Sequence, residues 1–197
     1  MRRPTFVLAI LLVLAGCSKP ALGPQDAARL IREAAEFREP GLVGVDREEA
    51  PSDCASKLLE DASWRALSKT GWVEFRSEDD FTRESQGRPA VKCVGKLTGD
   101  GLRSGAVSET TTYQNWRVPA ATRELIAVTA VTPSQDGIAT ARFTCRWRMN
   151  AFGSQVLQPP PEATATAVFR LLDDGWHMAH FTSLPPWPVD RLPAASN

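Results

Sequence analysis

The chain has 197 residues, with 23 basic and 23 acidic side chains and no formal net charge. That balance excludes the clustered basic excess of a nucleic-acid-binding protein. The length suffices for one good hydrophobic core, divided at most between two small units.

The first element is an export signal. Met1-Arg2-Arg3 is a basic start, and residues 6–15 (FVLAILLVLA) are apolar without interruption. This order describes a secretory signal peptide. The run is too short for a permanent membrane span, which needs about 20 residues. It ends in Leu14-Ala15-Gly16-Cys17, which resembles the lipobox of bacterial lipoproteins. The resemblance implies diacylglycerol on the Cys17 thiol, cleavage between Gly16 and Cys17, and acylation of the new N-terminus. Ser18 follows in place of Asp. In that family this implies outer-membrane sorting, with the folded part facing the periplasm.

A single acyl chain, at about 0.8 kcal/mol per buried CH₂, binds a membrane marginally, whereas two or more hold it. The tether from Ser18 to Pro24 reaches about 23–25 Å when extended. Removal of residues 1–16 takes Arg2 and Arg3 with it. The remaining 181 residues carry 21 basic and 23 acidic side chains, a charge of −2.

Residues 26–37 read as a helix, with Ala27, Leu30, Ile31, Ala34 and Phe37 on one face. Pro40-Gly41 stops it, and a polar loop follows through Asp46-Arg47-Glu48-Glu49. Ser52 or Asp53 caps a second predicted helix over 54–68, with Ala55, Leu58, Leu59, Ala62 and Ala66 facing inward. Gly71 ends it in a left-handed conformation. Residues 72–76 and 89–97 form a hairpin, so the helix and hairpin together resemble part of a winged helix. Residues 103–121 read as a polar, poorly patterned segment.

Two hairpins complete the expected fold. Residues 123–132 and 138–149 flank an Asp136-Gly137 turn, and residues 164–172 and 176–181 flank Asp173-Asp174-Gly175. Residues 185–197 are proline-rich and read as a loose tail. The expected architecture is α+β: two N-terminal helices followed by an antiparallel sheet of about six strands built from hairpins. Its expected divisions are a signal peptide (1–16), a lipidated tether (17–24), one globular domain (25–184, with a helix-plus-hairpin subunit over 25–98) and a tail (185–197).

"RELIAVTAV", "ATARFTCRWRM" and "ATAVFRLLDDGWHMAHF" resemble the closing hairpins of an envelope lipoprotein family of unassigned activity. Helices followed by curved antiparallel strands also resemble nuclear-transport-factor-2-like and cystatin-like folds.

After Cys17 the cysteines are Cys54, Cys93 and Cys145. In an oxidising periplasm an odd set leaves one disulfide and one free thiol. Cys54–Cys93 is the expected bridge. Cys145, flanked by Phe143 and Trp147 on one strand face, is the expected buried thiol. No CxxC spacing supports a metal site, and none is expected.

The strand over 142–149 alternates. Arg142, Arg146 and Arg148 share one face with Thr144, and Phe143, Cys145, Trp147 and Met149 share the other. Three arginines on a strand face suit anionic head groups, glycan acids or an acidic protein. The competing reading is a solvated face with Glu124 across the strand. Trp116, in a polar context, is a candidate binding-surface aromatic.

His177 and His180 are offset by three residues and should point to opposite faces of a regular strand. Asp173, Asp174 and His177 qualify as general bases by type alone, and the turn reading competes for both aspartates. The chain contains no GxSxG, HExxH, glycine-rich phosphate loop or internal repeat, so no cofactor is implied.

The reading that results is a membrane-anchored, non-catalytic envelope module. Its expected partner is an envelope protein, glycan or lipid, not nucleic acid. A small-molecule enzyme with an Asp–His pair on a nuclear-transport-factor-2-like fold is the alternative. A lipoprotein inhibitor or immunity protein of an envelope hydrolase, acting through residues 103–121, is the other.

Overall fold

A computed structural model describes residues 21–46, 61–79, 91–105, 107–108 and 115–188. Helix α1 (Pro24–Glu33) starts from an extended Gly23, with Pro24 where a missing N–H costs nothing. It breaks at Ala34, whose ψ is 135°, and resumes as α2 (Ala35–Arg38). Ala27, Ile31 and Phe37 are the buried positions.

Strand β1 (Gly41–Asp46) follows directly where the polar loop was expected. Val43 and Val45 alternate into a core, and Gly41, expected as a helix stop, begins this strand. Helix α3 (Ala62–Lys69) is shorter than the expected second helix. Asp61 is extended, and its carboxylate accepts from the Ser63 and Trp64 amides at 2.7 and 3.1 Å. That N-cap starts a new helix at Ala62 and precludes a continuous helix from 54 to 68. The inward face is Trp64, Ala66 and Leu67, while Ala62 is exposed. Ser52, Asp53 and Cys54 lie outside the described residues. Gly71, at φ +71°, ends α3, and the Trp72 amide reaches back to the Leu67 carbonyl in a Schellman arrangement.

Strands β2 (Val73–Asp79) and β3 (Val91–Leu97) pair antiparallel as a separate hairpin. Short helix α4 (Gly99–Arg103), capped by the Thr98 hydroxyl, leads to β4 (Val107–Ser108). Strand β5 (Asn115–Pro133) is the long spine of the molecule. A one-turn helix, with Asp136 and Gly137 both at positive φ, connects it to β6 (Ile138–Met149). Helix α5 (Gly153–Val156), β7 (Ala163–Leu172) and β8 (Gly175–Phe181) follow.

Among the described residues these strands form a six-stranded sheet ordered β1-β5-β6-β7-β8, with β4 also paired to β5. Every pairing is antiparallel. The architecture is therefore α+β, with β1 interposed between the first helices and α3.

The expected polar segment forms the first third of β5 over residues 115–121. Pro119 hid it, because proline is tolerated in a strand chiefly at edges and bulges. Here Pro119 stands opposite Leu42, beside the register shift between Gly41 and Leu42.

Two further irregularities bend β5. Its register against β6 slips between Leu125 and Ala127 and again between Val128 and Ala130. Each slip inserts an unpaired residue, Ile126 and then Thr129, and each adds curvature.

The two cores lie side by side on one face of this curved sheet, because the register slip at Ala120 returns Val118 and Ala121 to the same side. On this inner face, α1 and α2 cover Leu125, Ala141, Phe143, Ala167 and Phe169. Toward β1, Trp116, Val118 and Ala120 pack with Val43, Val45, Trp64 and Phe152, and Trp187 bridges from this second core to Trp147. Phe37, Phe143 and Phe181 form an aromatic cluster, with ring centroids 5.9–6.3 Å apart.

The proline-rich tail begins in contact with this structure. Trp187 lies edge-on to Trp147 at 4.9 Å, and its indole N–H donates to the Leu42 carbonyl at 2.9 Å. Gly41 has no Cβ where the Trp187 ring sits, so any larger residue there would displace the indole. The expectation of a loose tail thus fails at 185–187, because an indole finds both an apolar wall and an acceptor.

Candidate functional site

Among the described residues both cores lie on the helix-covered face, and the outer face is exposed from Thr122 and Arg148 to the β7–β8 turn. Strand β6 alternates burial cleanly along its length. Arg142, Arg146 and Arg148 are exposed, while Phe143, Cys145 and Trp147 are buried. The three arginines therefore share one face, as their spacing requires.

Arg170 joins them. It alternates with buried Phe169 on β7 and stands opposite Ile138, four rungs beyond the Arg142–Thr166 pair. The alternation Ala165, Ala167, Phe169 would have placed Arg170 on this face. Its nearness to the β6 arginines depends on register, which sequence alone leaves open.

The arginines differ electrostatically. Arg146 stands opposite Glu124 and donates from Nε to its carboxylate at 2.9 Å, with Glu162 at 3.7 Å from its other arm. The hydrogen bond from Arg146 holds the Glu124 carboxyl below its ordinary value and raises the guanidinium in turn. Both groups are solvated, so the pair contributes only modestly to stability. Glu124 neutralises Arg146 as expected of an acidic neighbour, while Arg142 and Arg148 stand outside that pair.

The histidines depart from expectation. The β7–β8 register shifts between Val168 and Phe169, so that His180 opposes Val168 and Met178 opposes Phe169. Ala179 is the extra residue. This bulge restores His180 to the face of His177, and both are exposed beside the arginine row. A strict two-residue period had put them on opposite faces.

His177 Nε2 lies 2.8 Å from Asp174 Oδ1 in the β7–β8 turn, and the contact lowers the Asp174 carboxyl. A general base is tuned by burial and neighbours. These two side chains stand in solvent, where the pair serves the turn. Asp173 is exposed in the same turn.

Trp116 is not a surface aromatic. It is 2% exposed and packs edge-on to Trp64 at 5.2 Å. Its polar neighbours concealed the alternation with Val118 and Ala120, which carries its ring into the second core.

Cys145 is a buried free thiol. Burial pushes it above its ordinary value, partly offset by the Arg123 guanidinium. A high-pKa, buried thiol reacts poorly. Alkylation of the native protein at mildly alkaline pH should therefore leave Cys145 unmodified, with full labelling in concentrated guanidinium. Peptide mass mapping checks this, and rapid native labelling would contradict it. Cys17, Cys54 and the Cys93 side chain lie outside the described residues, and with them the expected Cys54–Cys93 bridge.

Sequence reasoning missed Arg123, which stands on the inner face opposite Trp147. Its guanidinium lies 4.2 Å from the Trp147 ring centroid and donates to the Glu36 carbonyl at 2.6 Å and the Pro185 carbonyl at 3.2 Å. Burial lowers its pKa, with Cys145 and Glu39 opposing. It joins helix, sheet and tail.

A prokaryotic membrane lipoprotein lipid attachment site matches residues 1–18. The match supports a bacterial lipoprotein signal and membrane anchoring through the lipobox cysteine. No curated protein and no solved structure matches the chain. Among the described residues no helix is long and apolar enough to cross a membrane.

Proposed function

We propose that this lipoprotein is a non-catalytic binding module of the bacterial envelope, whose open sheet face recognises an anionic component. The observation that carries this reading is the exposed row of Arg142, Arg146, Arg148 and Arg170 on one rigid sheet. Guanidinium groups grip carboxylates and phosphates through paired N–H donors, and a sheet fixes their spacing without a binding loop.

The anchor sits on Cys17, acylated after cleavage behind Gly16, and the residues from Ser18 to the buried Leu22 tether one folded unit to the membrane. Ser18 supports outer-membrane sorting with the module in the periplasm. The lipid signal at residues 1–18 supports membrane anchoring.

Charge reversal tests the reading. In-cell crosslinking and purification of the full lipidated chain should recover a component that the Arg142→Glu/Arg148→Glu variant loses, while the variant's thermal stability stays unchanged. A component retained by the folded variant would assign binding elsewhere on the molecule. Both positions are exposed and outside the Glu124–Arg146 pair, so their replacement disturbs little packing.

A further inference from the structure

We infer that the occupant of the open face is an acidic polysaccharide lying along the arginine row, and not the bilayer that holds the anchor. The inference rests on the reading that this face binds an anion. The row is elongated. Arg148, Arg146 and Arg142 lie on β6, and Arg170 stands opposite Ile138. It thus spans ten residue steps of β6, about 33 Å at ~3.3 Å per residue. A small anion meets one or two of these groups, whereas an extended chain with repeated carboxylates or phosphates meets them all. Three acidic side chains on this surface are already engaged: Glu124 and Glu162 face Arg146, and Asp174 contacts His177.

The rest of the face fits sugar better than protein. Thr140, Thr144, Thr164 and Thr166 stand between the arginines. Their hydroxyls donate and accept, as sugar hydroxyls do. The paired apolar side chains there are aliphatic: Ala127, Ala130, Ile138, Val168 and Leu172. Among the described residues of these strands no Phe, Tyr or Trp points outward; Phe143, Trp147 and Phe169 are all buried. A protein interface draws its energy from a desolvated centre rich in aromatic anchors, and this face has none.

Topology turns the face from the membrane. Leu22 is buried in the inner core beneath α1. Five residue steps separate it from the lipidated position, a reach of about 16–18 Å at ~3.3–3.6 Å each. To lay the outer face on the bilayer, that segment must leave the helix layer and pass around an edge of a sheet about 20 Å wide at ~4.8 Å per strand. The helix-covered face lies nearer the membrane, and the arginine row faces outward.

The test uses full lipidated protein in phosphatidylcholine vesicles, with labelled polygalacturonate as the acidic probe and dextran as the neutral one. The expected result is capture of polygalacturonate, weakening as salt rises, and no capture of dextran. The Arg142→Glu/Arg148→Glu/Arg170→Glu variant should lose affinity by about tenfold or more, since hydrogen bonds to charged groups are individually strong. The milder glutamine triple variant guards against misfolding and should lose affinity in the same direction. Phosphatidylglycerol in the vesicles should leave capture unchanged. Loss of capture on adding this anionic lipid would place the face on the bilayer and overturn the inference. Equal capture of dextran, or capture indifferent to the arginines, would also overturn it. A protein partner recovered from cells that depends on the same arginines would overturn the polysaccharide assignment and leave the anion-binding reading standing.

Discussion

Phe143→Ala should destabilise the protein by about 3–5 kcal/mol, the usual cost of deleting a fully buried aromatic ring. Phe143 is 0% exposed and lies on a strand paired on both sides. Its ring meets Phe37 from α2 at 6.1 Å and Phe181 from β8 at 5.9 Å. It therefore joins the helical layer, the sheet centre and the last strand. Neighbouring Ala141, Ala165 and Ala167 are too small to fill the void. At about 2–4 °C per kcal/mol for a chain of this size, the midpoint should fall by roughly 10 °C. Phe143→Leu, which keeps most of the volume, should cost less. Thermal unfolding followed by circular dichroism decides, and a midpoint within a degree or two of wild type would remove Phe143 from the centre of the core.

Arg123→Ala should cost about 2–4 kcal/mol, from two hydrogen bonds by a charged donor and a stacking contact with Trp147. Arg123→Lys should recover little of this. One ammonium cannot reach the Glu36 and Pro185 carbonyls while also lying flat on the indole. The loss should be accompanied by release of the 185–188 segment, since Pro185 and Trp187 both engage this corner. Proteolysis near the C-terminus should accelerate in both variants. A lysine variant as stable as wild type would show that charge alone, and not the planar fork, holds the corner.

Much of the sheet was legible because its signals are local. The β5–β6 and β7–β8 hairpins carry Asp-Gly turns between alternating strands, and the structure places both turns where those residues fall. Gly71 ended a helix by its backbone freedom alone. The α1–α2 segment also followed its period, although the break at Ala34 did not announce itself.

The failures share a physical origin in long-range contacts and in departures from strict periods. Ala179 adds one residue to β8 and reverses the relation between His177 and His180. Asp61 is extended and caps a helix that begins at Ala62, so the expected helix does not run through it. Trp116 and Trp187 sit in polar or proline-rich surroundings, yet each ring finds a partner far along the chain. Of the candidate site, the β6 arginines were readable from alternation. Arg170 entered only through register.

Site-specific photo-crosslinking in living cells tests the central claim most directly. A photoreactive residue in place of Thr144 sits between Arg142 and Arg146 on the open face, and one in place of Arg32 sits on the exposed side of α1. The full lipidated chain should form an adduct from the Thr144 position and none from the Arg32 position. Arg142→Glu/Arg148→Glu should abolish that adduct while the protein remains folded and anchored. An adduct from the helix position alone, or one indifferent to the arginines, would contradict the assignment of the open sheet face as the binding surface.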